Sequence, residues 1–420
     1  MISGRNIKTQ NTLFTSTQKY LNWFTFFSVF PLIKIAGMSI TFPLFIMIAF
    51  IYLKKGKKLF RITQWTDLFL VLFLTFVFIS WILQEETFRD RSLFSIFKLM
   101  VQYSYWVTVA LFIKTWIYEY DFYKISRSIF WAVVASTLYY VFLNPVHFIF
   151  APNEYAYAVV VAMPIGYYYV MRRFSSTVVL LISAGIVLGV LYSGSRAGTT
   201  LTLFEIVLLL GLGKKSMKKF TMIALLLMVP LTPVAWVVLD KSNITSIKYQ
   251  VADMLEDYSP KIAYTLRMEE NVFDRDKSWL IRELMWQKGK LIFEKHPFFG
   301  VGPGNFTKYY ADINPAEVSS WLNTRSIEGY NRVSSQNSYL MILAENGVFA
   351  LASILIVFFI ILVKGFYYLR TLKDNAEIYI YIPFIATLAY SIILVTTMGT
   401  LFWFVLGLAL TLTQRKRHLS

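Results

Sequence analysis

The chain has 420 residues, no cysteine and three widely separated histidines, His147, His296 and His418, which excludes disulfides, thiolate metal sites and a cysteine nucleophile and argues against a histidine-rich metal centre. Hydrophobic residues make up 57% of it and aromatics 18%, with a mean hydropathy of +0.55, more apolar surface than a soluble core could hide. The formal charge of +17 would suit nucleic acid, but the basic residues sit in short clusters between apolar runs, as membrane topology requires, so no nucleic-acid partner is expected.

The stretch before Leu21 is polar and basic, and no cleavage site of small residues follows the first apolar run, so it reads as a cytoplasmic tail. Apolar runs read as spans then follow in order, the first of them short, allowing a boundary error of several residues. They are Leu21–Leu32, Met38–Leu53, Leu68–Leu83, Phe97–Trp116, Ile129–Phe150, Tyr155–Val170, Val178–Tyr192, Thr199–Leu212 and Phe220–Leu239. After a long polar segment come Val348–Tyr368, Ile378–Met398 and Leu401–Thr413. The expectation is an all-α polytopic membrane protein of about twelve spans.

The positive-inside rule tests that parity. Alternate connections carry Lys54, Lys55, Lys57, Lys58 and Arg61; Lys114, Lys124 and Arg127; Arg172 and Arg173; Lys214, Lys215, Lys218 and Lys219; and Lys364, Arg370 and Lys373. Both termini share their sign, through Arg5, Lys8 and Lys19 and through Arg415, Lys416 and Arg417. Both ends are therefore expected in the cytoplasm, with the protein in an inner (plasma) membrane. The chain divides into a first membrane region, 1–239, an external loop domain, 240–336, and a second membrane region, 337–420. Within the loop domain, SWLIRELMWQKGKLIFEK places Leu280, Leu284, Lys288, Leu291 and Lys295 at helical spacing beside Ile281, Met285 and Ile292. That pattern predicts an amphipathic helix lying on the membrane body or its outer surface.

Three external clusters carry unusual chemistry. SGSRAG (193–198) combines small residues, which let backbone approach a ligand, with Arg196, a permanent cation at the membrane edge; anion binding and snorkelling both account for it. Arg282 and Trp286 precede HPFFGVGPGNF (296–306), whose alternating glycines and prolines make a stiff turn suited to shaping a cavity wall. No strand precedes that turn and no P-loop lysine follows, so it is not a nucleotide fingerprint. SSQNSYLMILAENG (334–347) presents Gln336 and Asn337 and carries Glu345 toward the membrane, as a base, an arginine partner or, most commonly for such a group, a paired structural carboxylate.

In this order the three motifs resemble those of the O-antigen ligase and polymerase superfamily, which includes lipopolysaccharide O-antigen ligases, Wzy-type polysaccharide polymerases and bacterial O-oligosaccharyltransferases. The resemblance spans most of the chain, since a large external loop before the tenth span is also the family plan. It implies a GT-C-like, metal-independent glycosyltransferase, with no cofactor, acting on an undecaprenyl-diphosphate-linked glycan. The family's essential arginines fall on Arg196 and Arg282, which would hold the diphosphate and stabilise the leaving group. Ser195, Trp286, His296, Gly302, Asn305 and Asn337 are the accompanying candidates for substrate contact. Where similar ligases carry a histidine, this chain has Gln336, which can orient a hydroxyl but cannot take its proton. Glu345, Glu328 or Glu269 would then be the base, unless little base assistance is needed.

The departure at Gln336 shifts weight toward a polymerase that joins lipid-linked repeat units, with membrane lipids and a chain-length regulator as further partners. Ligation to lipid A–core, or transfer to protein, is the alternative. The rival from another class is a transporter or flippase, disfavoured because the unusual residues gather on one side of the membrane. External aromatics such as Trp279, Trp321, Tyr309, Tyr310 and Tyr330 pack the loop or stack on sugars.

Overall fold

The computed structural model describes residues 5–30, 34–35, 38–84, 93–143, 152–213, 275–309, 335–371, 376–392, 394–395 and 399–413. Among them are twelve α-helices: α1 (Arg5–Val29), α2 (Thr41–Lys54), α3 (Trp65–Ile82), α4 (Leu93–Trp116), α5 (Phe122–Phe142), α6 (Pro152–Arg173), α7 (Ser176–Tyr192), α8 (Arg196–Gly213), α9 (Arg275–Lys295), α10 (Ser338–Thr371), α11 (Ile378–Tyr390) and α12 (Thr400–Thr411). A two-residue antiparallel pair, β1 (Lys34–Ile35) with β2 (Met38–Ser39), turns α1 into α2.

This is a helical membrane protein by composition and packing. Among the described residues, three helical stretches are long and apolar enough to cross a bilayer, Trp65–Ile82, Phe122–Phe142 and Ser338–Tyr367, and five shorter apolar helices accompany them. Large side chains such as Phe50, Phe97, Leu181, Leu188 and Phe359 stand exposed on the bundle, an arrangement that lipid stabilises and water does not. The expected span Phe220–Leu239 and most of the expected loop domain, including Glu269, Tyr310, Trp321, Glu328 and Tyr330, lie outside the described residues.

Two helices form the axis of the bundle. Every residue from Tyr155 to Met171 in α6 is buried, as is every residue from Leu401 to Thr411 in α12. α6 packs against α5, α7, α8 and α11, while α12 packs against α4 and α11. Small residues allow this closeness. A side chain at Gly166 would press on the Phe130 backbone at 3.1 Å, and one at Gly407 would meet the Ala110 carbonyl at 2.8 Å. Hydroxyls buried between the helices pair with one another: Tyr52 with Tyr120 at 2.6 Å, Tyr155 donating to Thr137 at 3.0 Å, and Tyr167 with Ser183.

At one end of the bundle, Lys114 of α4 donates to both oxygens of Asp67 at 2.5 Å, both side chains being fully buried. Asp67 also accepts from the Thr63 and Gln64 backbone amides, so the carboxylate is well satisfied. Gln64 and Lys364 both donate to the Thr413 carbonyl at 3.1 Å, tying α3 and α10 to the end of α12.

Three boundaries differ from expectation. α1 begins at Arg5, not near Leu21, because no proline or glycine interrupts the sequence up to Val29. α10 begins ten residues before Val348 and kinks at Gly347, where φ is 77°. α11 stops at Tyr390, not Met398, because the next residues pair with α10: the Ser338 amide donates to the Ser391 carbonyl and its hydroxyl to the Leu394 carbonyl.

Candidate functional site

Residues of the three motifs meet at the C-terminal end of α11. Ser195, in the tight turn between α7 and α8, donates its hydroxyl hydrogen to the Asn153 side chain at 2.9 Å. Its oxygen also lies 3.0 Å from the Tyr390 hydroxyl and accepts from the Gly198 amide. With the serine hydrogen committed to Asn153, Tyr390 donates to Ser195, and the tyrosine's own lone pairs are left for another donor. The turn is forced by Gly194 at φ 70°, and Gly198 is required because a side chain there would strike Ala156 at 2.5 Å.

Arg282 approaches the same point from α9. It is half-buried; burial lowers its pKa, while electrostatic interaction with Tyr390 raises it. A guanidinium remains charged under such a shift, so the site keeps a fixed cation in electrostatic reach of Tyr390. Trp286, one turn along α9, is also half-buried. Arg196 is the first residue of α8, directly after Ser195; the backbone places it at this turn, and its side chain is outside what the structure describes.

Gln336 joins the cluster through the Ser338–Ser391 bond, which holds its segment beside the residue after Tyr390. It is the one non-glycine residue with positive φ among those described, at 54°. Asn337 caps α10, its side-chain oxygen accepting from the Leu340 amide at 3.0 Å.

The glycine-rich loop forms the wall beside this cluster. Val301 and Gly302 donate their amides to the Ala344 and Glu345 carbonyls, at 3.0 and 2.8 Å, and Val348 donates to the Pro297 carbonyl at 2.9 Å. Glu345 is fully buried and accepts from the Phe306 amide at 3.0 Å, while Ser80 of α3 donates to its carbonyl at 2.6 Å. Its surroundings are those of a carboxylate that fixes the loop. Asn305 is fully buried and donates to Gln84 and to the Val301 carbonyl, and His296 packs edge-on against Tyr309. Beneath the loop, Leu284, Met285 and Ile292 of α9 meet Val301, Phe306, Met341 and Ala344. The amphipathic stripe is therefore real, and it faces this small core.

Of the expected residues, Ser195, Arg282 and Gln336 converge around Tyr390, whereas Gly302, Asn305 and Glu345 build the neighbouring wall. Tyr390 and Asn153 were missed by sequence reasoning. Their only signal was a tyrosine within one apolar run and an asparagine just before another, which many membrane helices share. No group of histidine, aspartate and glutamate poised to hold a metal occurs among the described residues.

No curated protein matches this chain. Residues 177–355 match the family model described as O-antigen ligase, and that span contains all three motifs. Over this segment the chain is similar to the O-antigen ligase family, a family of glycan-transferring enzymes.

Proposed function

We propose that the protein is a surface-polysaccharide polymerase of GT-C-like design in the bacterial inner membrane, extending a glycan held on undecaprenyl diphosphate. The observation that supports this reading is the Ser195–Tyr390 pair beside the turn that bears Arg196, with Tyr390 in electrostatic interaction with Arg282. An acceptor sugar hydroxyl attacks the anomeric carbon of the donor, the bond from that carbon to the diphosphate oxygen breaks, and the diphosphate leaves with its new charge against the guanidinium groups. The hydroxyl proton passes to solvent or to the departing diphosphate, with Gln336 orienting the acceptor. Fixed cations in a partly dehydrated site supply the charge stabilisation, and chemistry on the external face fits the arrival of flipped lipid-linked glycans there. A chain-length regulator is the expected protein partner.

Ligation to lipid A–core is the second reading, favoured by the description of the matched family. In cells lacking the gene, loss of a polymerase leaves core capped with one repeat unit; loss of a ligase leaves bare core and polymer on the lipid carrier. Re-expressing Arg282→Ala at ordinary level in the deletion strain should fail to restore long-chain glycan on a gel. Normal glycan from that variant would overturn the diphosphate-binding role.

A further inference from the structure

At the opposite end of the bundle, the connection between α2 and α3 folds over Trp116. The indole nitrogen donates to the Lys58 and Leu59 carbonyls at 3.2 and 2.8 Å, and the Arg61 amide donates to the Thr115 hydroxyl at 3.3 Å. Gly56, at φ 68°, makes the turn. The result is a pocket of about 460 Å3 lined by Gly56, Lys57, Lys58, Arg61, Trp116 and Glu119. Lys57 lies 4.8 Å from the centre of the Trp116 ring and Arg61 5.8 Å, so the aromatic floor orients two cations toward one space. The pocket's one acid, Glu119, pairs with Lys57 at 3.1 Å. Three cations against one carboxylate leave a net charge near +2 in a concave site.

Exposed apolar side chains flank the pocket's residues in sequence. Leu53 is 57% exposed, Ile62 54% and Trp65 73%, large side chains that water would not favour and that suit the level where headgroups meet hydrocarbon. From Leu53, one face of α2 continues through exposed Phe50 and Ile46 into an apolar groove of about 880 Å3 between α2, α3 and α4. Phosphate recognition and hydrocarbon accommodation thus adjoin.

We propose that this pocket binds the phosphate headgroup of an anionic phospholipid, with an acyl chain along the α2 stripe. The inference rests on the membrane reading but not on the enzymatic one, because the pocket stands apart from the glycan site. Lys58 and Arg61 make the principal phosphate contacts, and Glu119 limits affinity by engaging Lys57.

The test titrates phosphatidylglycerol, phosphatidylcholine and inorganic phosphate into the purified full chain in neutral detergent, following bound lipid by native mass spectrometry. Phosphatidylglycerol should bind selectively. The double variant K58Q/R61Q should weaken it by roughly tenfold or more, and E119Q should strengthen it by about fivefold, taking each headgroup-facing charge at its usual worth. A charge-matched control at the other end, K290Q/K295Q, should leave binding unchanged. Equal binding of phosphatidylcholine, unaltered binding by K58Q/R61Q, or equal weakening by the control would overturn the site. Displacement by millimolar inorganic phosphate would overturn the lipid as its source and make free phosphate the ligand.

Discussion

Lys288 has no exposed surface, and its ammonium lies 5.0 Å from the centre of the Phe306 ring, inside the small core beneath the glycine loop. Burial lowers its pKa from 10.5 to about 8. Below about pH 8 the amine is protonated in the folded and the unfolded chain alike, and the folded state carries the whole desolvation cost. Between about pH 8 and 10.5 the unfolded chain binds the proton that the folded chain has shed, so stability rises with pH across that window. Lys288→Met should abolish that rise and stabilise the protein at pH 7 by about 1–3 kcal/mol, less whatever the aromatic contact contributes. Thermal unfolding in detergent at pH 7 and 9.5 checks it; parallel shifts in both proteins would show that the amine is not desolvated. Gln336 offers a second test at this scale. Its φ of 54° is a conformation glycine adopts freely, so Gln336→Gly should hold the melting temperature while removing the side chain that orients the acceptor. Glycan output should then fall by roughly tenfold or more, as expected for loss of a group that orients the acceptor. Full output would remove Gln336 from the acceptor role. The stripe carrying Lys288 was legible from helical spacing, and Gln336 from its place in a motif. Neither the burial of one nor the backbone sign of the other was, because both depend on contacts distant in sequence.

The union of the glycine loop with α10 shows what an element boundary can and cannot reveal. Alternating glycines and prolines made a tight turn evident, but not the surface against which the turn closes. That surface is the kinked start of α10. A side chain at Gly347 would lie 2.0 Å from the Phe298 carbonyl oxygen, and one at Gly300 would lie 2.4 Å from the Glu345 carbonyl carbon, with φ positive at both. Backbone, not a movable side chain, is in the way. Gly347→Ala and Gly300→Ala should therefore each destabilise by about 2–4 kcal/mol, combining left-handed strain with steric displacement. Limited proteolysis near the loop should accelerate in both, and unchanged cleavage would mean that the loop is not clamped there. Glu345→Gln keeps an oxygen to accept from the Phe306 amide and should be far milder than Glu345→Ala, which leaves that buried amide without its acceptor at a cost of about 1–3 kcal/mol. If instead Glu345→Gln abolished glycan formation with no loss of stability, the carboxylate would be serving chemistry and not the clamp. The convergence on α11 was the least legible feature, since Ser195, Arg282 and Tyr390 meet only after α6 has brought α8 and α11 to its flanks.

At the scale of the whole molecule, alternating basic clusters give the sequence's expectation for membrane orientation. Helix breakers and apolar run lengths anticipated most of the described helices, because both act locally. The proposed chemistry and the proposed lipid site each depend on the orientation being right: the glycine loop must face outward and the α2–α3 connection inward. The absence of native cysteine makes this directly measurable, since any introduced cysteine is the only thiol in the chain. Lys308 is exposed on the glycine loop, and Arg173 is exposed where α6 meets α7 in one of the basic connections. A membrane-impermeant maleimide applied to cells with a permeabilised outer envelope should label Lys308→Cys and spare Arg173→Cys. After the inner membrane is disrupted, both should label. A cation repelled from translocation and a polar loop exempt by its length would then account for both results. The reverse pattern would place the Arg282–Tyr390 cluster on the cytoplasmic side, where flipped glycans do not arrive, and would sink the polymerase and ligase readings together. The basic pocket would then face the opposite leaflet, while its test against phosphatidylglycerol in detergent would stand unaffected.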